Sequence, residues 1–316
     1  MKNLAFIFAI FISSMILISG CEKDDNNTPV EPQNIYHANM YNPTVEELQD
    51  FYEDGYDAID GNVQLSSVDG LRNMLTLSNV ISIKGNFIVS GNDDLISLEG
   101  LENLISIGES LRISGNNTLT NIGLSNLTFL GGRLEVHSNG SLTNIGLSSL
   151  TSISADFEVY FNGSLTNIGL SSLKSVGGVL LIGSPNGAFP NYGNNALSNI
   201  DGLSSLTSVG GGLIISSNAS LANINGLSSL TSIGALTTSQ FGNLFISSNG
   251  SLNNIDGLSS LTSISGHLYV EDNNILSNLC GIQNILTLGG VYSNISIKNN
   301  LYNPTYEDII AGNCSQ

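Results

Sequence analysis

The residues that could do chemistry are few. Three cysteines stand at 21, 280 and 314, three histidines at 37, 137 and 267, and paired acids at Asp93-Asp94 and Glu271-Asp272. A zinc site needs more ligands than two cysteines supply, and the scattered histidines do not complete one. Two acids at a turn can hold calcium weakly, but solvated turn charge is the plainer reading. His137 and His267 have no Ser or Cys partner in register, so both read as surface residues. Arg72, Lys84, Arg112, Arg133, Lys174 and Lys298 are spread along the chain rather than clustered, which is the wrong distribution for cleaving acidic polysaccharides. The expectation is no enzyme, no metal and no cofactor. Cys280 and Cys314, an even pair once Cys21 is set aside, favour one disulfide in an exported chain.

Those residues sit in a chain dominated by repetition. Asn139 to Ile153 reads N-G-S-L-T-N-I-G-L-S-S-L-T-S-I, and nearly the same words return from Asn162, Asn218 and Asn249. The unit is L-x-I-x-x-N-x-x-L-x-x-I-x-G-L-x-x-L-x-x-I-x-G. Its L-x-I segments begin at Val63, Phe87, Leu111, Leu134, Phe157, Leu180, Leu213, Leu244, Leu268 and Ile295. Most spacings are 23 or 24 residues; the shorter ones read N-I-G-L where the others read N-I-D-G-L or S-L-E-G-L. The alternation in L-x-I predicts a short strand with its first and third residues inward. The Gly, Ser, Thr and Asn between the later apolar residues are poor helix formers. One coil cannot bury its own apolar side chains, but stacked coils share a continuous core. The expected fold is therefore all-β, a right-handed parallel β-helix or leucine-rich-repeat solenoid of about ten coils with short helical caps.

The asparagine that closes L-x-I-x-x-N recurs at Asn92, Asn116, Asn139, Asn162, Asn218, Asn249 and Asn273, with Asn194 taking the role after an insertion. An inward amide must satisfy its donors and its acceptor, so these residues read as a structural ladder bonded between coils. The repeat resembles the receptor L domain, the leucine-rich right-handed β-helix of insulin-receptor-type ectodomains. The L-x-I-x-x-N-x-x-L units, the G-L-x-x-L-x-x-I-x-G links and the opening Ile59-Asp60-Gly61-Asn62-Val63-Gln64-Leu65 are the residues that resemble it, over about 59–300. The chain lacks that family's cysteine pattern and is far more repetitive, so growth-factor binding is not implied. The fold is.

The ends differ from the middle. Lys2, the apolar run to Ile18 and the ending Ile18-Ser19-Gly20-Cys21 read as a secretory signal over 1–20. The ending resembles the lipobox of bacterial lipoproteins, which implies cleavage before Cys21 and lipidation of that residue. Glu22-Lys23-Asp24-Asp25 behind it resembles a surface-export signal. The expected location is the bacterial outer membrane, lipid-anchored and facing outward, with an acidic flexible tether over 21–39. Tyr41-Asn42-Pro43-Thr44-Val45-Glu46-Glu47 and Tyr302-Asn303-Pro304-Thr305-Tyr306-Glu307-Asp308 frame the repeats. Each offers a threonine N-cap with an acid three residues on. A capping helix is expected within 40–58, the solenoid over 59–300 and a C-terminal cap over 301–316.

The net charge of −18 excludes nucleic acid, because no basic patch could neutralise phosphates. The nearly uncharged middle suits a neutral partner. Second strand residues point outward, and from Leu181 through Ile214 and Phe245 to Tyr269 they are apolar, with Tyr160 outward in the fourth position. Insertions bracket this stripe: Ser184 to Gly193 contains Phe189 and Tyr192, and Leu236 to Gly242 contains Phe241. Contiguous exposed apolar surface usually means contact with a partner. Alternatively, the loops fold over the stripe and bury it. The reading is a non-catalytic surface lipoprotein for adhesion or recognition, binding a protein or neutral glycan. A passive spacer or surface coat, or an ice-binding solenoid with its threonine column at 128, 151, 207, 231, 262 and 287, is the alternative.

Overall fold

The computed structural model describes residues 31–184, 192–234 and 242–316. Its spine is one parallel sheet of eleven strands, taken in chain order from Met40–Tyr41 to Ile295–Lys298. Each strand pairs with the next at the same phase: Leu134 lies opposite Phe157 and Val136 opposite Val159, and so on along the sheet. First and third residues such as Val63 and Leu65 are buried, while second and fourth residues are mostly part-exposed. At roughly 4.8 Å per strand, the ten steps span about 48 Å. The core is a single column of Leu, Ile, Val and Phe side chains running the length of the sheet.

The second side of each coil is a two-residue strand, S-I or S-V in most coils, and these form two ribbons of five strands. The third side holds the turn that separates long coils from short ones. In the coils with Asp201–Leu203, Asn225–Leu227 and Asp256–Leu258, which keep the extra residue, the chain makes a 3-10 turn, whereas residues 98–101, which also keep it, make a plain turn with Gly100 at φ 111°. Where it is deleted, a glycine closes the turn instead: Gly123, Gly146 and Gly169 have φ of 69°, 70° and 65°. Only glycine adopts that conformation without steric cost, so the one-residue difference in spacing is a change of turn type, not of layer.

The ladder asparagines run through the interior. Asn116, Asn139, Asn162, Asn194, Asn218, Asn249 and Asn273 are 0 % exposed and Asn92 is 2 %. From Asn116 onward each Oδ1 accepts from the backbone N–H of the asparagine one coil earlier, at 3.0 Å for Asn92 to Asn116 and 3.1 Å for Asn139 to Asn162, while Asn92 Oδ1 accepts from Val68 N–H at 2.9 Å. Each Nδ2 donates to the carbonyl of the third strand residue in that earlier coil, as from Asn139 to Ile113 at 3.0 Å. The ladder continues past Asn273 to Asn300 and ends on Asn303, whose Oδ1 accepts from Asn300 N–H at 2.9 Å. A second, part-exposed ladder precedes the first strands: Asn62 N–H donates to Asn39 Oδ1 at 2.7 Å and Asn86 N–H to Asn62 Oδ1 at 2.8 Å.

Both ends are closed. Helix α1 (Val45–Glu53) begins at a capping box in which Glu47 N–H donates to Thr44 Oγ1 at 3.1 Å and Thr44 N–H to Glu47 Oε2 at 2.7 Å. It buries Leu48 and Phe51, and Phe51 packs with Tyr36 and Tyr56 at ring distances of 5.5 and 5.1 Å. Val45 and Tyr52 stay exposed. Helix α2 (Gln283–Thr287) and helix α3 (Tyr306–Ile310) close the other end. Thr305 and Asp308 form the second capping box, and the Tyr306 hydroxyl donates to Leu286 O at 3.0 Å. A disulfide joins Cys280 to Cys314.

The cap-and-tether division at the N-terminus needs one correction. Ile35–Tyr36 is already a strand paired with Ala58–Ile59, and Met40–Tyr41 pairs with Val63–Gln64. An eleventh, degenerate coil therefore occupies residues assigned above to the tether (to 39) and the capping helix (from 40). Helix α1 follows Met40–Tyr41 and forms the third side of this coil, against the 3-10 turn Leu75–Leu77 of the next.

Candidate functional site

In-register stacking turns the outward strand positions into straight columns. In the second column Arg112 lies opposite Glu135 and Glu135 opposite Glu158; in the fourth, Ser114 lies opposite His137 and His137 opposite Tyr160. Residues about 23 apart in sequence thus become neighbours roughly 4.8 Å apart. Elsewhere in the fourth column most coils carry serine. Here the bland face is interrupted by a compact group of charged and aromatic side chains.

The His137 and Tyr160 rings stack in parallel, with centroids 4.7 Å apart and planes 2° from coplanar. Arg112 Nη2 lies 3.2 Å from His137 Nε2. A guanidinium only donates, so Nε2 accepts and the imidazole proton sits on Nδ1, 3.1 Å from Ser138 Oγ. Burial pushes the His137 pKa down; Glu135, 3.4 Å away, opposes this and Arg112 adds to it. The ring is neutral at physiological pH. The Tyr160 hydroxyl donates to Glu135 Oε1 at 3.3 Å. Burial first, then the Glu135 carboxylate, push the Tyr160 pKa up to about 12.

The carboxylates are arranged against their own repulsion. Glu135 and Glu158 are like charges directly opposite, which is unfavourable by itself. Arg112 Nε comes within 3.7 Å of Glu135, and Arg133 bridges Asp156 at 2.9 Å and Glu158 at 3.9 Å. Burial still raises the Glu158 pKa despite Arg133. A shallow recess of about 360 Å³, lined in part by Ile88, Arg112, Arg133 and Glu135, opens beside the group. Donors from Arg112 and Arg133 and the Glu135 acceptor line it, a set suited to a hydroxyl-bearing or amide-bearing ligand.

The apolar stripe is less open than its outward positions imply. Leu181 is 4 % exposed, which corrects the expectation of an exposed side chain at that position. Ile214, Phe245 and Tyr269 are half-buried. Phe245 meets Tyr269 edge-on at 6.1 Å, and Tyr269 packs on His267 at 5.3 Å. These rings cover one another, so the period-two rule gave the direction of the side chains but not their accessibility. Tyr192 is 44 % exposed and stacks with Phe161 at 5.1 Å. Cys21, Phe189 and Phe241 lie outside the described residues, as do residues 1–30.

Other candidates have structural roles. The ladder asparagines are fully engaged within the core, as described. In the threonine column, the hydroxyls of Thr128, Thr207, Thr231 and Thr262 donate to carbonyls of the preceding coil at 2.9–3.3 Å. Among the described residues, no three His, Cys, Asp or Glu side chains are grouped to hold a metal ion. Asp93 and Asp94 are exposed.

Sequence reasoning missed the core of the patch. Arg112, Arg133 and His137 read as dispersed surface residues, yet stacking brings them against Glu135, Asp156, Glu158 and Tyr160. The 23-residue spacing was the signal that could have found them: it aligns equal positions, so charged residues at equal positions in adjacent coils must touch. Phe161 was also missed, although it stands where other coils carry Gly, Ser, Asp or Asn.

Residues 175–287 match the family model for the Receptor L domain. No curated protein matches the chain. The Receptor L domain is a non-enzymatic, ligand-binding family, and the match indicates a recognition or binding role.

Proposed function

We propose that the chain is a lipid-anchored surface protein of a bacterial outer membrane that recognises a protein or neutral glycan through the outward face of its long parallel sheet. The observation that carries this reading is the His137–Tyr160 stack with its frame of Arg112, Glu135, Glu158 and Arg133. The repeat itself does not call for this group: most other coils carry serine in the fourth outward position. Like carboxylates in register oppose stacking, and burial of Glu158 and Tyr160 disfavours their charged forms.

The recognition role rests on rigidity as well as on composition. Columns fixed by backbone pairing hold the ring faces and carboxylates in place before a ligand arrives, which reduces the ordering cost of association. Adhesion follows if the rod is held at the cell surface. Cys21 supplies that anchor: several acyl chains at one residue hold far more firmly than the marginal binding of a single chain.

The test has two arms. Purified full-length protein is screened against neutral oligosaccharides and cell-surface proteins, and hits are remeasured with His137→Ala and Tyr160→Ala. Loss of binding in folded variants supports the sheet face; unchanged binding refutes it. For the anchor, cells fed labelled palmitate should label the wild type and not Cys21→Ser, and antibody should reach the wild type on intact cells.

A further inference from the structure

The residue that follows each long strand adopts the left-handed conformation in nine coils. Seven are small or polar: Ser67, Gly91, Gly115, Ser138, Ser217, Ser248 and Asp272 all have φ between 52° and 67°. Asn299 does the same at 58°. Phe161, at φ 56°, is the exception. Gly, Asn and Asp enter this region at little cost, whereas a bulky aromatic residue there is an outlier. Such strain persists where the rest of the structure imposes it, and it clusters at functional positions.

Burial does not explain Phe161. Its side chain is 45 % exposed, and Tyr192, the ring it stacks on, is 44 % exposed. The centroids are 5.1 Å apart with planes at 29°, and Phe161 N–H donates to Tyr192 O at 2.8 Å. Two exposed rings are thus fixed together by backbone pairing. Phe161 directly follows Tyr160, the tyrosine of the His137–Tyr160 stack, and Glu158 lies three residues back on the same strand with Glu135 opposite it.

We infer that Phe161 and Tyr192 form a stacking platform for the sugar rings of a neutral glycan, which runs on along the sheet face so that its further hydroxyl groups bond to the Glu135 and Glu158 carboxylates. This rests on the sheet-face reading above and names its ligand class. A pyranose ring presents an apolar face to an aromatic ring and hydroxyls at its rim, matching an apolar platform on a sheet face that also carries carboxylate acceptors. Two rings are too little apolar surface for a stable protein interface, which buries about 1,200–2,000 Å². The acidic chain, net −18, disfavours a polyanionic glycan.

The experiment uses the full-length protein, an array of neutral oligosaccharides of glucose, mannose, galactose and xylose, and heparin as the polyanionic comparison. Phe161→Asn keeps a residue suited to the left-handed backbone. Expected is a folded variant with an unchanged or higher melting temperature and at least a tenfold loss of affinity for the oligosaccharides bound by wild type. A lowered melting temperature would show that the ring is structural and overturn the platform. Retained affinity in Phe161→Asn, with loss in Tyr160→Ala, would also overturn it while leaving the sheet-face reading standing. Binding of heparin or of proteins only would overturn the ligand class.

Discussion

Removing one ladder asparagine should cost far more than its size suggests. Asn139 is 0 % exposed and bonded on both sides. Its Oδ1 accepts from Asn116 N–H at 3.0 Å and Asn116 Nδ2 at 3.3 Å, and its Nδ2 donates to Ile113 O and His137 O at 3.0 Å and to Asn162 Oδ1 at 3.2 Å. In Asn139→Ala, the buried Asn116 N–H and Ile113 carbonyl lose these partners. A buried unsatisfied group costs about 1–3 kcal/mol. Two such groups and the space left by the amide give about 3–5 kcal/mol. In a solenoid this loss falls on the interfaces between adjacent coils, so local opening should follow. Urea unfolding followed by far-ultraviolet circular dichroism measures the total. Amide exchange at Asn116 should quicken by about a hundredfold or more, since about 1.4 kcal/mol is tenfold. Asn62→Ala provides the control: it removes an equivalent bond in the part-exposed ladder, where water can replace it. That variant should lose under about 1 kcal/mol. Equal, small losses in the two variants would refute the claim that the interior ladder holds the coils together.

Three further outcomes are expected. Ultraviolet titration should show one tyrosine, absent in Tyr160→Phe, ionising at about 12. Because the folded pKa is raised, this group's stabilisation is complete below the ordinary tyrosine value of about 10 and lost as pH rises towards about 12. Reducing the Cys280–Cys314 bond, or replacing both with serine, frees a 34-residue span. The C-terminal cap should then lose about 4 kcal/mol by the loop-entropy relation, seen as early release of α3 in exchange experiments while central coils are unchanged. Phe161→Asn should gain about 1 kcal/mol in chemical unfolding as the left-handed strain is relieved.

Much of the fold was legible because a solenoid is nearly one-dimensional. The period of L-x-I defined the strands, their inward positions and the equal phase of neighbouring coils. The asparagine following each strand announced its ladder, since an amide among leucines has no stable alternative to being bonded. The shared Y-N-P-T words marked both caps. Even so, the two copies act differently. Asn42 Oδ1 accepts from Ser66 N–H at 2.9 Å at the start, whereas Asn303 ends the ladder at the other end.

What the tertiary structure decided is what depends on more than one coil at a time. The sequence placed Leu181, Phe245 and Tyr269 on the outward side, but accessibility is a property of neighbours, and only their packing showed Leu181 buried and the rings covering one another. Arg112, Glu135, His137 and Tyr160 lie in three different repeats, so only the Glu135–His137 contact falls within one repeat; the stacked sheet brings the others within contact. The first coil escaped notice because its long-sheet strand is only Met40–Tyr41, too short to carry L-x-I, and a helix takes the place of its third-side turn. Phe161 obeys no repeat rule at all. Its meaning lies in a backbone angle shared with the same position in most other coils, which becomes visible only when the coils are laid side by side.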